Sequence, residues 1–435
     1  MEMFYHVCSG SVMIEILMKY NFWHAPPQKT GFLRDSYVNV LSGYLDNALV
    51  KVILGQRRVG KSYLVRMFIA HLITERKVPP ENILYINKDI HAFDFINDSQ
   101  MLQAAIDEYR KQLKPKGTIY IFLDEIQEIG NWEKVVNSLS QDYTASCEVF
   151  ITGSNAKLLS GEMATHLSGR YLTLLVFPFS FPEFLGINKI ENTKASFISY
   201  LESGGIPESY RLSDREMKAN YYKSLMDSIV LRDIVYRHKV RDVALLERLI
   251  HFLIDSVGSF FSINSVVGAL KHAGCRANGE TVGSYLKFLQ DAYFIHESIR
   301  YDIKGKKILS GVRKYYLNDL GFKYFLSSSF DFGIGKYLEN AVFMQLKRDG
   351  YAVYTGRIKG REIDFIAEKN NIKKYVQVAY LLPDDAVLER EFGSLTLIDD
   401  NFEKMVVSMD DISFGNSGGI LHVKAWDFMM TPAVY

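Results

Sequence analysis

The chain has few cysteines, and none of them is close to another in sequence. Its three cysteines are Cys8, Cys147 and Cys275, and no CxxC motif occurs. Zinc ribbons and disulfide frameworks need paired cysteines, so neither is supported and a reducing compartment is expected. None of the ten histidines belongs to an HExxH motif, so the zinc-peptidase signature is missing too.

Long apolar runs are also lacking, and the formal net charge is only +1. The N-terminal apolar stretch Val12–Met18 is interrupted by Glu15 and has neither the length nor the flanks of a signal peptide. The most apolar longer run, Tyr171–Ile187, is broken by Pro178 and Pro182, whereas a membrane span needs about 20 apolar residues. Lys and Arg number 51 against 50 Asp and Glu, which leaves room only for a local basic patch. We therefore expect a cytoplasmic protein without a membrane partner.

Short apolar strands alternate with helical patterns in the first half of the chain. Helical patterns run from Lys61 to about Glu75 and over Met101–Leu113. Strands that are apolar throughout, each followed by a helix, are typical of a parallel sheet covered on both faces, so the predicted fold class is α/β. The predicted strands are Val50–Leu54, Ile83–Asn87, Ile119–Leu123, Glu148–Thr152 and Tyr171–Leu175.

One motif in this half is typical of nucleotide binding. Residues Gly55–Ser62 read GQRRVGKS and match G-x-x-x-x-G-K-[ST], directly after an apolar strand and at the start of a helical pattern. The glycines let backbone N–H groups face phosphates, and the helix N-terminus adds positive potential. Lys61 is expected to hold the β- and γ-phosphates of ATP, and Ser62 to bind Mg²⁺. The residues expected to contact the nucleotide are Gly55, Arg58, Val59, Gly60, Lys61, Ser62 and Tyr63.

A pair of carboxylates follows the third predicted strand. Asp124 and Glu125 come directly after the apolar run Ile119–Leu123. We expect Asp124 to bind Mg²⁺ through water, and Glu125 to polarise the attacking water, a role worth roughly 10²–10⁴ in rate. The alternative is a buried strand that ends in a solvated acidic loop, and the upstream motif favours the catalytic interpretation.

Two further polar positions are candidates for the catalytic site. Asn155 follows the fourth strand, where a side chain would lie between the two motifs and reach the γ-phosphate or the water, with Ser154 as second candidate. The alternative is an Asx or Ser turn after the strand. Arg170 precedes the fifth strand and is a candidate for stabilising phosphate charge, in its own subunit or in a neighbour. The alternative for Arg170 is a surface salt bridge.

Together these residues resemble the AAA+ class, within the P-loop group that has an additional strand. The likeness is strongest to a prokaryotic group in which an AAA+ domain precedes a winged helix and a restriction-endonuclease-like domain. The resemblance implies ATP binding and hydrolysis and assigns no cellular role. The stretches that carry it, in order, are GQRRVGKS, FLDEIQEIGNWE, ITGSNAKLLS, LSGRY, FPFSFPEFL, GGIPE, LRDIVYR, KYYLNDLG and GREIDF.

The middle of the chain has the order of elements of a winged helix. Helical patterns cover Leu245–Asp291, and the predicted strands Tyr293–Arg300 and Lys306–Val312 follow, joined by a turn. Such a hairpin tip can lie along a nucleic-acid backbone. A solvated turn is the alternative, since lysines commonly protect hairpins. The candidate contacts are Lys304, Lys306 and Lys307.

The last block looks like a nuclease core of the PD-(D/E)xK kind. Glu339 lies in a predicted helix, Asp364 in the strand pair that follows, and Gln377 and Ala379 on the next strand. Active members use two carboxylates to hold Mg²⁺ and a lysine to position water. Here Gln377 replaces the second acid and Ala379 replaces the lysine. We therefore expect a retained fold that does not cut nucleic acid.

The expected organisation has five parts, and they define the functional hypotheses. The leading hypothesis is an ATP-hydrolysing, Mg²⁺-dependent switch or motor with a C-terminal recognition module. The alternatives are an ATP-binding regulatory or interaction protein with little turnover, and an ATP-dependent nuclease. The partners considered are DNA, another protein and a second copy of the chain. The parts are a helical lead-in (1–45), an AAA+ P-loop ATPase domain (46–190), a helical linker or lid (191–240), a winged-helix domain (241–330) and an inactive endonuclease-like αβ domain (331–435).

Overall fold

The computed structural model describes residues 10–159, 167, 169–327 and 333–430. The first nine residues of the predicted lead-in, the last five of the predicted endonuclease-like domain, and Ser160 and Ser168 in two of the motifs lie outside the described residues. The chain forms two compact units, Met1–Val176 and Phe177–Tyr435. The first unit ends before residue 190, the predicted limit of the ATPase domain.

Aromatic packing explains why the segment after Val176 belongs to the second unit. The ring of Phe181 lies 5.2 Å from that of Phe197, between centroids. The backbone N–H of Phe179 donates to the carbonyl of Gly205, at 2.7 Å. These contacts join the end of the apolar run to the helices that follow it.

The first unit contains a five-stranded parallel sheet in the order β2-β3-β4-β1-β5. The predicted α/β class is confirmed, and each predicted strand lies within one residue of an observed one. β1 to β4 are buried along their whole length, which explains their apolar sequences. β4 lies between β1 and β3, so the carboxyl ends of these three strands adjoin. The strands are β1 (Val50–Leu54), β2 (Ile83–Asn87), β3 (Ile119–Asp124), β4 (Cys147–Gly153) and β5 (Tyr171–Leu175).

Side chains from the lead-in cover the free edge of this sheet at β2. Asn21 accepts from the backbone N–H of Tyr85 (2.6 Å) and donates to its carbonyl (3.1 Å). The indole of Trp23 donates to the carbonyl of Ile83, at 2.7 Å. These bonds satisfy an edge that would otherwise be open to pairing. The helices of this unit are α1 (Gly10–Tyr20), α2 (Asp35–Gly43), α3 (Lys61–Thr74), α4 (Ser99–Leu113) and α5 (Trp132–Ser140).

The second unit begins with helices and contains a π-helix at Ile229–Tyr236. Within the described ranges, no helix is both long enough and apolar enough to cross a bilayer. The α-helices are α6 (Phe181–Asn188), α7 (Lys194–Ser203), α8 (Arg215–Ser228), α9 (Val243–Asp255), α10 (Ile263–His272), α11 (Gly279–Asp291), α12 (Gly321–Leu326), α13 (Ile334–Arg348), α14 (Asp385–Leu395) and α15 (Ala425–Phe428).

A nine-stranded mixed sheet forms the rest of this unit, in the order β13-β14-β12-β11-β10-β9-β7-β8-β6. Because β7 pairs in parallel with β9, the sheet runs without a break across the predicted domain boundary at 330/331. The strands are β6 (Phe260–Phe261), β7 (Ile295–Asp302), β8 (Lys307–Leu317), β9 (Ala352–Ile358), β10 (Arg361–Lys369), β11 (Ile372–Ala379), β12 (Glu403–Ser408), β13 (Asn416–Ser417) and β14 (Ile420–Lys424).

The hairpin β7–β8 is longer than predicted. β8 continues past Val312, because Arg313 and Lys314 pair with Phe261 and Phe260 of β6. The predicted strand ended at Val312, directly before these two cations. Lys314 is buried within the strand because its ammonium pairs with the carboxylates of Glu339 and Glu362.

Candidate functional site

The loop between β1 and α3 has three residues with left-handed backbone. The angle φ is +153° at Gly55, +69° at Arg58 and +97° at Gly60. A Cβ on Gly55 would lie 2.3 Å from the carbonyl oxygen of Val176, so glycine is needed there. Gly60 is the N-cap residue of α3, and the loop curls over the helix N-terminus. The free N–H groups at such a terminus favour an anion.

Lys61 reaches back across this loop. Its ammonium donates to the carbonyls of Gly55 (3.0 Å) and Gln56 (3.2 Å). It also lies 3.6 Å from the carboxylate of Glu125, and both side chains are buried. The two motifs, which are far apart in sequence, therefore meet through an ion pair.

Asp124 lies at the end of β3, surrounded by hydroxyl groups. Thr152 and Tyr85 donate to its two carboxylate oxygens, at 2.5 Å and 2.9 Å, and Ser62 forms a further hydrogen bond. Burial, together with the nearby Glu125 charge, raises the pKa of Asp124, and the three hydroxyls oppose the rise. A bound divalent cation would favour the charged carboxylate. The carboxylate and the Ser62 hydroxyl are the oxygen ligands that Mg²⁺ prefers, so the residues present fit that ion.

Glu125 is held at both its backbone and its side chain. Its φ of +54° is uncommon for a residue other than glycine. Its N–H donates to the Thr152 hydroxyl at 2.9 Å, and its carboxylate accepts from the amide of Gln127 at 2.5 Å. The carboxylate thus lies between the ammonium of Lys61 and the amide of Gln127.

Asn155 is fully buried, and the oxygen and nitrogen of its side-chain amide have different environments. Its Oδ1 accepts from the backbone N–H of Lys157 at 2.8 Å, which is the turn given above as the alternative. Its Nδ2 has no hydrogen-bond partner among the described residues. A buried amide donor without a partner costs free energy, so this nitrogen suits an acceptor that is not part of the chain. Ser154, the second candidate, is also buried.

The remaining candidates of this unit lie at its surface or are half-buried. Arg170 is exposed, and its guanidinium lies 3.5 Å from the amide oxygen of Asn137. Arg58 is exposed as well. Tyr63 is half-buried, with the guanidinium of Arg66 4.3 Å from the centre of its ring. The roles of these residues toward a nucleotide stay predictions.

Four residues of this site did not emerge from the sequence. Tyr85 and Thr152 could have been found, because they lie near the carboxyl ends of the strands on either side of β3. Gln127 and Arg34 gave no such signal. The buried Arg34 donates to the carbonyl of Val59 at 3.2 Å and so supports the phosphate loop from within the protein.

In the second unit, a buried ammonium lies among three carboxylates. The Nζ atom of Lys314 is 2.7 Å from Glu339, 2.7 Å from Glu362 and 4.0 Å from Asp364. The Tyr316 hydroxyl donates to the same oxygen of Glu339 at 2.8 Å. This cluster lines a cavity of about 850 Å³. The structure therefore places Glu339 and Asp364 around the same ammonium, that of Lys314, which sequence reasoning missed. Their assignment to a degenerate nuclease site stays a prediction.

The charges of this cluster depend on one another. Burial, reinforced by the Glu339 charge, raises the pKa of Asp364 to about 8, and Lys314 opposes that rise. Burial lowers the pKa of Lys314, but Glu339, Asp364 and Glu362 together raise it above its ordinary value. The lysine is therefore held in its charged form, whereas Asp364 takes up a proton more readily than an exposed carboxyl group does.

Both polar atoms of the Gln377 side chain form hydrogen bonds within the protein. Its Oε1 accepts from the backbone N–H of Asp364 at 3.3 Å, and its Nε2 donates to Glu391 at 2.8 Å. Across the described residues, no group of three or more His, Cys, Asp or Glu side chains is arranged to hold a metal ion. The prediction of a site without cleavage is compatible with both findings and stays a prediction.

The three lysines at the β7–β8 turn are exposed. Lys306 has a left-handed φ of +49°, and the carboxylate of Asp302 accepts from the N–H of Gly305 at 3.1 Å. The turn is therefore structured while its cations face solvent. Contact of Lys304, Lys306 and Lys307 with nucleic acid stays a prediction.

Family models match two consecutive parts of the chain. An AAA domain model matches residues 47–185. A model for a domain of unknown function, DUF8612, matches residues 194–331. The first match contains every residue of the predicted nucleotide site. The winged-helix and endonuclease-like assignments have no such match, so they stay predictions.

Several solved structures are similar to the chain at low identity. The Walker-type ATPase PABY2304 of Pyrococcus abyssi is 17% identical, with 70% of this chain and 99% of that chain covered and a TM-score of 0.45. The RuvB Holliday junction branch migration motor of Thermotoga maritima is 14% identical over 61% and 89% of the two chains, with a TM-score of 0.32. At these scores the likeness says nothing about function.

Two relatives are similar over nearly their whole length. An uncharacterized protein of Haemophilus influenzae is 35% identical, with 86% of this chain and 92% of the relative covered. One of Methanocaldococcus jannaschii is 32% identical, with 82% and 84% covered. The chain therefore belongs to the protein family of these two relatives, and its first domain is an AAA domain with the fold of a P-loop ATPase.

Proposed function

We propose that the chain binds ATP with Mg²⁺ in its first unit and hydrolyses it there. One observation carries the proposal: Lys61, Ser62, Asp124 and Glu125 converge at the adjoining ends of β1 and β3, beside a loop shaped for phosphate. Lys61 would hold the terminal phosphates, and the loop amides would surround them. Asp124 and Ser62 would hold Mg²⁺, which would neutralise phosphate charge when bound.

Glu125 and Asn155 are the residues proposed to act on the attacking water. A carboxylate at this position can accept the water's proton, which makes the water a better nucleophile toward the γ-phosphate. The unpartnered Nδ2 of Asn155 can donate to the water or to a γ-phosphate oxygen. Arg170 could add positive charge from its own subunit or from a neighbour, and its exposure is compatible with either.

A second candidate function is an ATP-binding regulatory protein with little turnover. The contact that favours it is the hydrogen bond from Gln127 to Glu125, because a carboxylate that already accepts a bond is a weaker base toward water. Turnover would then need a stimulus that moves Gln127. We propose that the second unit recognises the partner that supplies it, and nucleic acid is the first candidate because of the exposed lysines at the β7–β8 turn.

Nucleotide binding by a Lys61→Ala variant tests this proposal. With the ammonium gone, the affinity for a fluorescent ATP analogue should fall at least about a hundredfold, because charged hydrogen bonds to two phosphates are lost. Lys157→Ala, a lysine just after the site, is the matched control and should bind like wild type. Equal affinities of wild type and Lys61→Ala would contradict the proposed site.

A further inference from the structure

The cavity of the second unit is lined by a buried ammonium, that of Lys314. Lys314 is 4% exposed, and its ammonium lies within hydrogen-bond distance of two carboxylates and 4.0 Å from a third. Buried ammonium groups are costly unless they are paired in this way. The three acids come from two elements, Glu339 from α13 and the other two from β10, so their convergence is a product of the fold.

Hydrogen bonds from residues outside the cavity lining keep two of the acids in place around this ammonium. Asp364 accepts from the backbone N–H of Val378 at 2.8 Å, and Glu339 accepts from the Tyr316 hydroxyl. Lys336 lies 3.7 Å from the second oxygen of Glu339, but its side chain is 45% exposed. Lys314 is thus the buried cation of the cluster, whereas Lys336 lies at its rim.

We propose that Lys314 permanently occupies the position that a divalent metal would take in this cavity, so that the second unit binds no catalytic metal and does not hydrolyse phosphodiesters. An ammonium and a metal ion compete for the same carboxylate oxygens, and the ammonium is attached to the chain. Its local concentration is therefore far above that of any free ion. The N–O distances of 2.7 Å to Glu339 and Glu362 are those of charge-assisted hydrogen bonds, so the ammonium engages both carboxylates directly.

This proposal assigns a role that sequence reasoning could not give. The lysine comes from the hairpin strand β8 and not from β11, where a nuclease motif would carry it. A lysine so placed could instead complete a hydrolytic site beside a metal, and the experiment separates the two outcomes. The proposal is independent of ATP hydrolysis in the first unit.

Manganese binding to the full chain is the test. All proteins carry Asp124→Asn, which removes the carboxylate of the nucleotide site. Bound Mn²⁺ is measured by electron paramagnetic resonance, and the stabilisation that it gives is measured by thermal shift. Without further change, no Mn²⁺ site that depends on Asp364 should be found. The Lys314→Met variant should bind one Mn²⁺ at least about tenfold more tightly than the protein that keeps Lys314. Bound Mn²⁺ should also raise the thermal stability of the variant, and adding Asp364→Asn should abolish both effects. Lys336→Met, which removes the rim lysine of the same cavity, is the matched control and should gain nothing.

Each other result would overturn the proposal. Mn²⁺ bound in an Asp364-dependent manner while Lys314 is present would show that the lysine does not exclude metal. A Lys314→Met variant that is folded without binding Mn²⁺ would show that the acids do not form a cation site. A variant that stays unfolded even with Mn²⁺ would mean that the metal cannot replace the ammonium, which contradicts the proposal equally. Cleavage of plasmid DNA that is lost in both Lys314→Met and Asp364→Asn would assign the lysine to catalysis.

Discussion

At the residue scale, the proposed catalytic carboxylate of Glu125 contacts both Lys61 and Gln127. Gln127 donates to Glu125 at 2.5 Å and so competes with water for that carboxylate. Gln127→Ala should therefore raise basal ATP turnover roughly two- to tenfold, the range expected for removing one competing hydrogen bond. Gln112→Ala removes an exposed Gln–Glu bond on α4 and is the matched control. A rate below that of wild type would instead mean that Gln127 positions Glu125 for the reaction.

A second residue-scale prediction concerns His296 and acid stability. Burial lowers the pKa of His296 to about 4, and its ring nitrogen contacts Asn318 at 3.0 Å. Between pH 6.5 and 4 the unfolded chain therefore binds more protons than the folded chain. The contribution of His296 to the free energy of unfolding is thus fully present above pH 6.5 and is lost as the pH falls toward 4. The loss amounts to about 3 kcal/mol at most. His296→Gln should flatten this part of the curve in urea unfolding, whereas exposed His24→Gln should not. An unchanged slope in His296→Gln would contradict the assignment.

Single residues also show how far the sequence could be interpreted. Lys61, Ser62 and Asp124 follow from the sequence because a motif and an adjacent strand end impose their positions locally. Lys314 does not, because its role depends on carboxylates that are distant in sequence. Gln127 does not either, although Glu125 is only two residues away, because their contact depends on the left-handed backbone at Glu125. A glutamine after a strand or a lysine in a strand carries no signal until its carboxylate partner is known.

At the scale of elements, the parallel sheet was predictable and the hairpin was less so. Strands β1 to β4 are fully buried and have apolar sequences, so they are evident from the sequence. Strand β5 is mostly half-buried, but its sequence is apolar enough to be predicted as well. Strand β8 has cations at its centre and was predicted to end at Val312, although it continues to Leu317. Pairing with β6 and the carboxylates around Lys314 outweigh the local pattern.

The lysines of the β7–β8 turn carry the element-scale prediction. If Lys304, Lys306 and Lys307 contact phosphates, the log–log slope of DNA affinity against salt should change by about 0.9 for each lysine removed. Lys359→Ala, at the exposed turn between β9 and β10, is the control for charge alone and should leave the slope unchanged. A triple alanine variant with wild-type affinity and slope would leave these lysines as solubilising residues of a solvated turn.

At the scale of the whole molecule, the candidate sites are distributed between the two units. The first unit contains the proposed ATP site, and the second contains a charged cavity and an exposed basic turn. If Arg170 acts on a neighbouring subunit, ATP should promote assembly, and assembly is then part of the catalytic cycle. The family models meet at a similar place in the chain, which supports treating the units as separate functional parts.

The central claim is that the first unit hydrolyses ATP through Glu125. The most direct measurement is the steady-state release of phosphate by wild type and Glu125→Gln, with and without duplex DNA, alongside the affinity of each for ATP. Binding should persist in Glu125→Gln, because Lys61 and the loop are intact, and its turnover should fall by roughly 10²–10⁴. Equal turnover in the two proteins would contradict the account.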